Sequence, residues 1–204
     1  MEYVSIQIDT SSKQHLTDIL NIIGFILAVV IGAWMINMFV FRSFNVSGPS
    51  MEDTLHTSDR LIVNRLPVTW DSVRGRSYVP NRGDIIVFRN PQFGSNALHD
   101  EYIVKRVIAL PGEYVELTNG RFTVYNDSEK NNPIDVDKEY PGAKYPTEGE
   151  VHMEVPEGEV FVAGDNRNGG HSFDSRNGLG TVPFASIIGP VVIRIYPFEQ
   201  IRLF

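Results

Sequence analysis

Lys105 interrupts an apolar run, Tyr102-Ile-Val-Lys-Arg-Val-Ile-Ala-Leu-Pro-Gly-Glu113. If that run is a strand, its period of two puts Lys105 on one face with Ile103 and Val107. Arg106 then falls on the other face with Val104 and Ile108. A lysine so placed must snorkel into water, pair with a carboxylate or give up its charge. Free lysine titrates at about 10.4, and burial without a partner lowers that value. An amine that is neutral near pH 7 is a general base. A strand-edge lysine with its head in water is the plain alternative. Ser50, in Ser47-Gly-Pro-Ser-Met-Glu-Asp-Thr-Leu55, is the hydroxyl that such a base would serve. Serine is a poor nucleophile until a base takes its proton. Gly48 and Pro49 shape a turn there, and the Ser50 N–H is a candidate donor to an oxyanion. By itself a loop serine carries no signal. A third polar segment, Gly164-Asp-Asn-Arg-Asn-Gly-Gly-His-Ser-Phe-Asp-Ser-Arg176, completes the set.

Other chemistries lack their residues. The chain has no cysteine, which excludes disulfides, zinc-thiolate sites and a Cys nucleophile. Its five histidines have no metal-ligand spacing, and no Gly-rich phosphate loop occurs. No Ser-x-x-Lys is present, and Ser50 has no Gly two residues on, which a nucleophile elbow needs. A histidine base is an alternative to lysine, because His171 adjoins Ser172 and Asp174, and His56 lies six residues from Ser50. The net charge of −7 argues against a nucleic-acid partner, which needs a basic footprint.

The elements that must position these residues fall into two parts. Residues 19–41 form a 23-residue stretch without a charged side chain, ILNIIGFILAVVIGAWMINMFVF. As a helix it would be about 34 Å long, enough to cross a hydrocarbon core of roughly 30 Å. It exceeds the apolar stretch of a signal peptide, and no small-x-small site follows it. An uncleaved transmembrane anchor is expected. Flanking charge is nearly silent on orientation, with Lys13 set against Glu2, Asp9 and Asp18, and Arg42 past the other end.

Residues 42–204 are strand-like. Runs at 60–64, 84–88, 102–110, 121–125, 159–163 and 187–196 are rich in β-branched and aromatic residues, with Gly, Pro and Asn turns between them. Asn119-Gly120, between 114–117 and 121–125, predicts a tight β-hairpin. No 12-residue stretch after residue 42 has helical periodicity. A mainly β, antiparallel all-β domain behind one N-terminal transmembrane helix is expected. The polar stretch 126–150 is read as a small, solvated inserted region.

Together the blocks resemble a known family. Ser-Met, Gly83-Asp-Ile-Ile-Val-Phe88, Lys105-Arg-Val-Ile-Ala-Leu-Pro-Gly-Glu113, Gly164-Asp-Asn-Arg167 and Ser172-Phe-Asp-Ser-Arg176 occur in the order found in type I signal peptidases. These are membrane-anchored Ser/Lys endopeptidases, and the single anchor resembles the Gram-positive form. The resemblance implies that Ser50 is the nucleophile, Lys105 the general base and Ser172 the hydroxyl that orients the lysine. It implies that Asp174 with Arg176, and Asp165 with Arg106, are supporting charged pairs. Phe44, Val46, Gly48, Met51, Leu55, Ile103 and Val104 would line the substrate site. The implied substrates are signal peptides of exported preproteins, cut after small-x-small (Ala-x-Ala) sites at a lipid bilayer, with no metal or organic cofactor. The implied topology is a cytoplasmic tail at 1–18, an anchor at 19–41 in the cell membrane and an extracytoplasmic catalytic domain at 42–204.

Three departures stand out. Asp53 occupies the place of a usual Pro beside the nucleophile. Four residues, 168–171, separate Arg167 from Ser172 where two are usual. Gly48 stands where some relatives carry an oxyanion-hole serine. Some relatives without the catalytic pair are assembly chaperones, for example in pilus biogenesis, and this non-catalytic role is the alternative reading.

Overall fold

The computed structural model describes residues 10–94, 100–140, 146–168 and 172–204. The chain divides into two units, Met1–Phe39 and Val40–Phe204. In the first, α1 spans Thr10–Phe39, and its portion Gln14–Phe39 is long and apolar enough to cross a membrane. Those 26 residues cover about 39 Å of helix. Its large apolar side chains, from Leu16 to Phe39, are exposed. The helix starts earlier than the apolar stretch, because the polar residues from Thr10 continue the same backbone. It ends at Phe39, two residues before the expected limit of the anchor, because Phe41 already pairs in a strand.

The second unit is antiparallel β, as the turn-bounded apolar runs require. Its elements are β1 (Phe41–Asn45), β2 (Arg60–Asn64), α2 (Leu66–Val73), β3 (Ile85–Arg89), β4 (Tyr102–Ala109), β5 (Tyr114–Thr118) and β6 (Arg121–Tyr125). There follow β7 (Ile134–Asp135), α3 (Val136–Glu139), β8 (Val151–Glu154), β9 (Glu159–Ala163), β10 (Val182–Pro183), β11 (Ile187–Tyr196) and β12 (Arg202–Leu203). The larger sheet runs β1-β2-β11-β3-β4-β9-β10, with β12 on β11, and the smaller runs β7-β6-β5-β8. β4 lies between β3 and β9, with Lys105 opposite Ile86 and Arg106 opposite both Ile85 and Ala163. A lysine on an interior strand cannot slip around an edge to water.

Two elements differ from the sequence expectation. α2 is an eight-residue helix, too short for a 12-residue periodicity to register, and it packs through Val68 against the cluster of Phe88 and Ile187. The stretch 126–150 is not only solvated. It contributes β7 and α3, and Val136, Asp137 and Thr147 are buried. Val136 joins the core between the sheets, with Phe122 and Val124 of β6 and Phe161 of β9.

The β5–β6 hairpin turns at Asn119-Gly120 with φ of 51° and 76°, and Thr118 pairs with Arg121. Both turn residues are left-handed, the requirement that makes Asn-Gly the preferred dipeptide. A Cβ on Gly120 would also come within 2.6 Å of the Pro146 side chain. Gly120→Ala should therefore lower stability by about 1–2 kcal/mol in urea unfolding.

Candidate active site

Ser50 sits in the turn that follows β1, and apolar burial on either side of it sets its position. Met51 and Leu55 are fully buried in the cluster of Leu61, Val63 and Val87. The turn closes on itself through Thr54 N–H and Leu55 N–H to the Met51 carbonyl, at 2.8 and 2.9 Å. Asp53 stands in this turn, and the Glu52–Asp53 peptide is cis.

Lys105 is 3% exposed on β4. Its Nζ donates to Ser50 Oγ at 2.8 Å and to the Val104 carbonyl at 2.9 Å. Burial lowers its pKa to about 8; the charges of Asp174 and Asp165 pull upward, and that of Arg176 adds to the fall. The two groups are 55 residues apart in sequence and in hydrogen-bond contact in space. An amine without its proton at this distance can accept the hydroxyl proton.

Charged pairs frame this contact. Arg106 grips Asp165 with two bonds, Nε to Oδ1 at 2.8 Å and Nη2 to Oδ2 at 2.7 Å. Thr54 Oγ1 donates to the same Asp165 Oδ2 at 2.5 Å, so one carboxylate ties β4 to the turn that carries Ser50. Asp174 accepts from Arg176 Nη2 at 2.8 Å and from the Gly164 N–H at 3.0 Å. Its burial would raise the carboxyl pKa, but these donors outweigh it and hold the group below its usual range. Ser172 is fully buried beside Gly164, where a Cβ would collide with both Ser172 Oγ and the Ser50 carbonyl. Among the described residues the buried Ser172 hydroxyl has no hydrogen-bond partner within reach, although it contributes to holding the Asp174 carboxyl low. The Lys105 Nζ bonds run instead to Ser50 and Val104.

An open cleft of about 460 Å³ adjoins the pair. Of the expected substrate residues, Phe44, Val46, Gly48, Ile103 and Val104 line it. Met51 and Leu55 do not: both point into the core beneath, so their apolar character serves packing rather than the cleft. Leu61, Val87, Tyr102 and Phe173 complete its apolar wall. Gly48 has φ of 85°, which a serine would adopt only with strain. His56 is exposed and does not line the cleft. His171 lies outside the described residues, as do Gly169 and Gly170 of the lengthened loop. Among the described residues no cluster of three or more His, Asp or Glu could hold a metal ion.

The family model for signal peptidase, peptidase S26, matches residues 19–196. The chain belongs to this family. It is 32% identical over 199 residues to signal peptidase I P of Bacillus subtilis subsp. natto, covering 93% of this chain and 96% of that one. It is 35% identical over 183 residues to a signal peptidase I of Bacillus licheniformis, covering 87% and 88%. A crystal structure of a signal peptidase I from Enterococcus faecalis is 29% identical, with a TM-score of 0.40 over 55% of this chain and 96% of that one. Membership makes the chain a serine peptidase.

This peptidase also carries residues to which the sequence reading assigns no role. Asn166 N–H donates to the Ser50 carbonyl and its Nδ2 to the Pro49 carbonyl, both at 3.1 Å. Arg167, 1% exposed, donates to the Gly164 carbonyl at 2.7 Å, to Asp137 Oδ1 at 2.9 Å and to Thr147 Oγ1 at 3.3 Å. The loop that clamps Ser50 is thereby fastened to α3. Their sequence signal is their place in the Gly164-Asp-Asn-Arg167 block, to which no role is attached beyond Asp165.

Burying Lys105 costs stability in a defined pH window. Its folded pKa of about 8 lies below the ordinary lysine value of 10.5, so the unfolded chain binds the extra proton. Stability from this group therefore rises with pH between about 8 and 10.5 and is lowest below 8. Lys105→Met should stabilise the peptidase by roughly 3 kcal/mol at pH 7, shrinking towards zero above pH 10.5. Chemical unfolding of both proteins across that range checks it.

Proposed function

We propose that this chain is a membrane-bound serine endopeptidase that removes signal peptides from exported preproteins with a Ser50/Lys105 dyad. The observation that carries the proposal is the 2.8 Å approach of Lys105 Nζ to Ser50 Oγ, with the amine shifted to about 8. In the neutral state Lys105 accepts the Ser50 proton. The Ser50 oxygen attacks the scissile carbonyl, and the tetrahedral oxyanion takes a hydrogen bond from the Ser50 N–H beside the left-handed Gly48. Collapse breaks the peptide bond, Lys105 returns the proton to the leaving amine, and an ester to Ser50 remains. Lys105 then takes a proton from water, whose oxygen attacks the ester carbonyl; as the bond to Ser50 Oγ breaks, Lys105 returns that proton to the serine and the signal peptide leaves as a carboxylate.

Ser172, buried beside Gly164, is the hydroxyl proposed to orient Lys105 when substrate is bound, and Asp174–Arg176 and Asp165–Arg106 hold the two halves of the dyad in register. The shallow apolar wall around Phe44, Ile103 and Val104 fits small side chains, in keeping with cleavage after Ala-x-Ala. α1 crosses the cell membrane, residues before it lie in the cytoplasm, and the catalytic unit works on the outer face. Confining enzyme and substrate to one bilayer raises their effective concentration.

The test is cleavage of a preprotein by the purified full-length chain. Ser50→Ala and Lys105→Ala should each reduce cleavage by about a thousandfold or more while circular dichroism stays unchanged. Full activity in Lys105→Ala would overturn the dyad. A chain acting only as an assembly chaperone would leave the preprotein uncut.

The pH dependence is set by the direction of the lysine shift. Because the base must be unprotonated, kcat/KM should rise about tenfold per pH unit below pH 8 and level off above it. His56→Ala and His171→Ala should leave that profile in place. A midpoint at about 6.5 that disappears in either histidine variant would assign the base to imidazole instead.

A further inference from the structure

The cleft ends where its two walls touch. β1 and β4 are not paired in the sheet, yet the Phe44 and Tyr102 rings meet across it with centroids 5.3 Å apart. The Arg42 guanidinium lies over both, 5.0 Å from the Phe44 ring and 4.7 Å from the Tyr102 ring, and its Nη2 donates to the Tyr102 hydroxyl at 3.4 Å. Two residues apart on β1, Arg42 and Phe44 share the face that looks on the cleft. A second guanidinium belongs to this face. Arg42 pairs with Val63, and the Arg65 N–H donates to the Val40 carbonyl at 2.8 Å, which carries the same register one step past Phe41 and Asn64. Arg65 is therefore the diagonal neighbour of Arg42. Burial, and then the charge of Arg42, lower the Arg65 pKa, with Tyr102 acting the other way. Among the described residues Arg42 has no carboxylate partner, in a chain of net charge −7.

Two cations on one face attract an anion and repel a third cation. Their distance from the dyad fixes which part of a substrate they meet. Tyr102 precedes Lys105 by three residues on β4, about 10 Å of strand. An extended peptide with its scissile carbonyl at Ser50 covers that length with three residues, so the fourth to sixth residues before the cut pass Arg42 and Arg65. The other lip of the cleft carries acids, Asp100 and Glu101. Asp100 is exposed, and Glu101 lies 3.4 Å from Arg89 in an exposed pair. Water and salt screen these two more than they screen the half-buried guanidiniums. We infer that Arg42 and Arg65 are specificity-determining residues, a charge filter that favours an acidic side chain, and rejects a lysine or arginine, at the fourth to sixth substrate residues before the cut. The inference rests on the peptidase reading and narrows its substrate class to preproteins that are acidic or neutral in this segment.

The test uses the full-length chain in neutral detergent and one preprotein carrying Glu, Gln or Lys at the fifth residue before the cut. kcat/KM should be roughly tenfold higher for Glu than for Lys, with Gln between, and the ratio should shrink as salt rises from about 0.1 M to about 1 M. Arg42→Gln and Arg65→Gln should each bring the Glu-to-Lys ratio towards one, Arg42→Lys should keep it, and Asp100→Asn with Glu101→Gln should raise it. Taken within one variant, the ratio is free of any general loss of activity from a disturbed fold. A ratio of one in the parent chain, or a ratio that neither arginine variant changes, overturns the filter and leaves the peptidase reading standing. A preference for Lys gives the end of the cleft to Asp100 and Glu101 and overturns the filter as well. If no preprotein is cut, both readings fail. Repeating the assay in phosphatidylglycerol vesicles separates substrate from lipid. A ratio that still falls in Arg42→Gln supports the filter. Activity that needs the arginines only in those vesicles, whatever the substrate charge, assigns them to lipid phosphate and overturns it.

Discussion

An amine buried without a carboxylate partner is the constraint on which this structure turns. Lys105 is surrounded by sheet, and the two carboxylates close enough to influence it are already taken. Arg106 holds Asp165 and Arg176 holds Asp174, each through two bonds to both oxygens. Arginine suits this work, since its planar fork matches a carboxylate and it keeps its charge at any accessible pH. Had either arginine been lost, a free carboxylate beside Lys105 would raise the amine pKa and fix it as an ammonium. The arginines therefore protect the low lysine pKa by occupying its natural partners. The chain accepts the desolvation cost at Lys105 and offsets it in the surrounding core.

Delivery of Ser50 to that amine is a matter of backbone. The hydroxyl rides on a turn whose neighbours Met51 and Leu55 are core residues, and whose carbonyls at 49 and 50 are bound by Asn166. Thr54 adds a bond to Asp165, which is itself held to β4 through Arg106. Three segments far apart in sequence thus share one network, and a displacement at any of them moves Oγ relative to Nζ. Gly164 is part of the same fit, because no side chain can stand between Ser172 and the Ser50 carbonyl.

Legibility in the sequence follows from how local each cause is. Strands β2, β6, β9 and β11 have the expected limits, because alternation and flanking turns are local and strong. Lys105 was visible as a charge inside an apolar run, a conflict between residue type and strand that marks a functional position. β1 was hidden, since Phe41 extends the apolar stretch of the anchor and only its pairing with Asn64 reveals a strand. Met51 and Leu55 were legible as apolar but not as inward-facing, because a turn has no periodicity from which to read a face. Asp137 is the hardest case. It lies in a run of Asp, Glu and Lys that reads as solvated, and its burial against Arg167 depends on residues 30 positions away.

That buried pair bears on what the small sheet is for. An apolar contact of equal volume would hold the two sheets together at least as well, because taking two charges out of water is costly. What the guanidinium adds is direction. From one position it donates to Gly164, Asp137 and Thr147, while its plane lies 4.8 Å over the Phe122 ring. Asp137 in turn accepts the Phe122 N–H at 2.9 Å, so β6, α3 and the loop at 164–167 meet at a single point. Hydrogen bonds of defined angle fix that loop in a way that nondirectional packing does not. The next residue back, Asn166, is the one that holds the Ser50 carbonyl. Positional accuracy at the nucleophile is thus imported from a sheet that lines no part of the cleft.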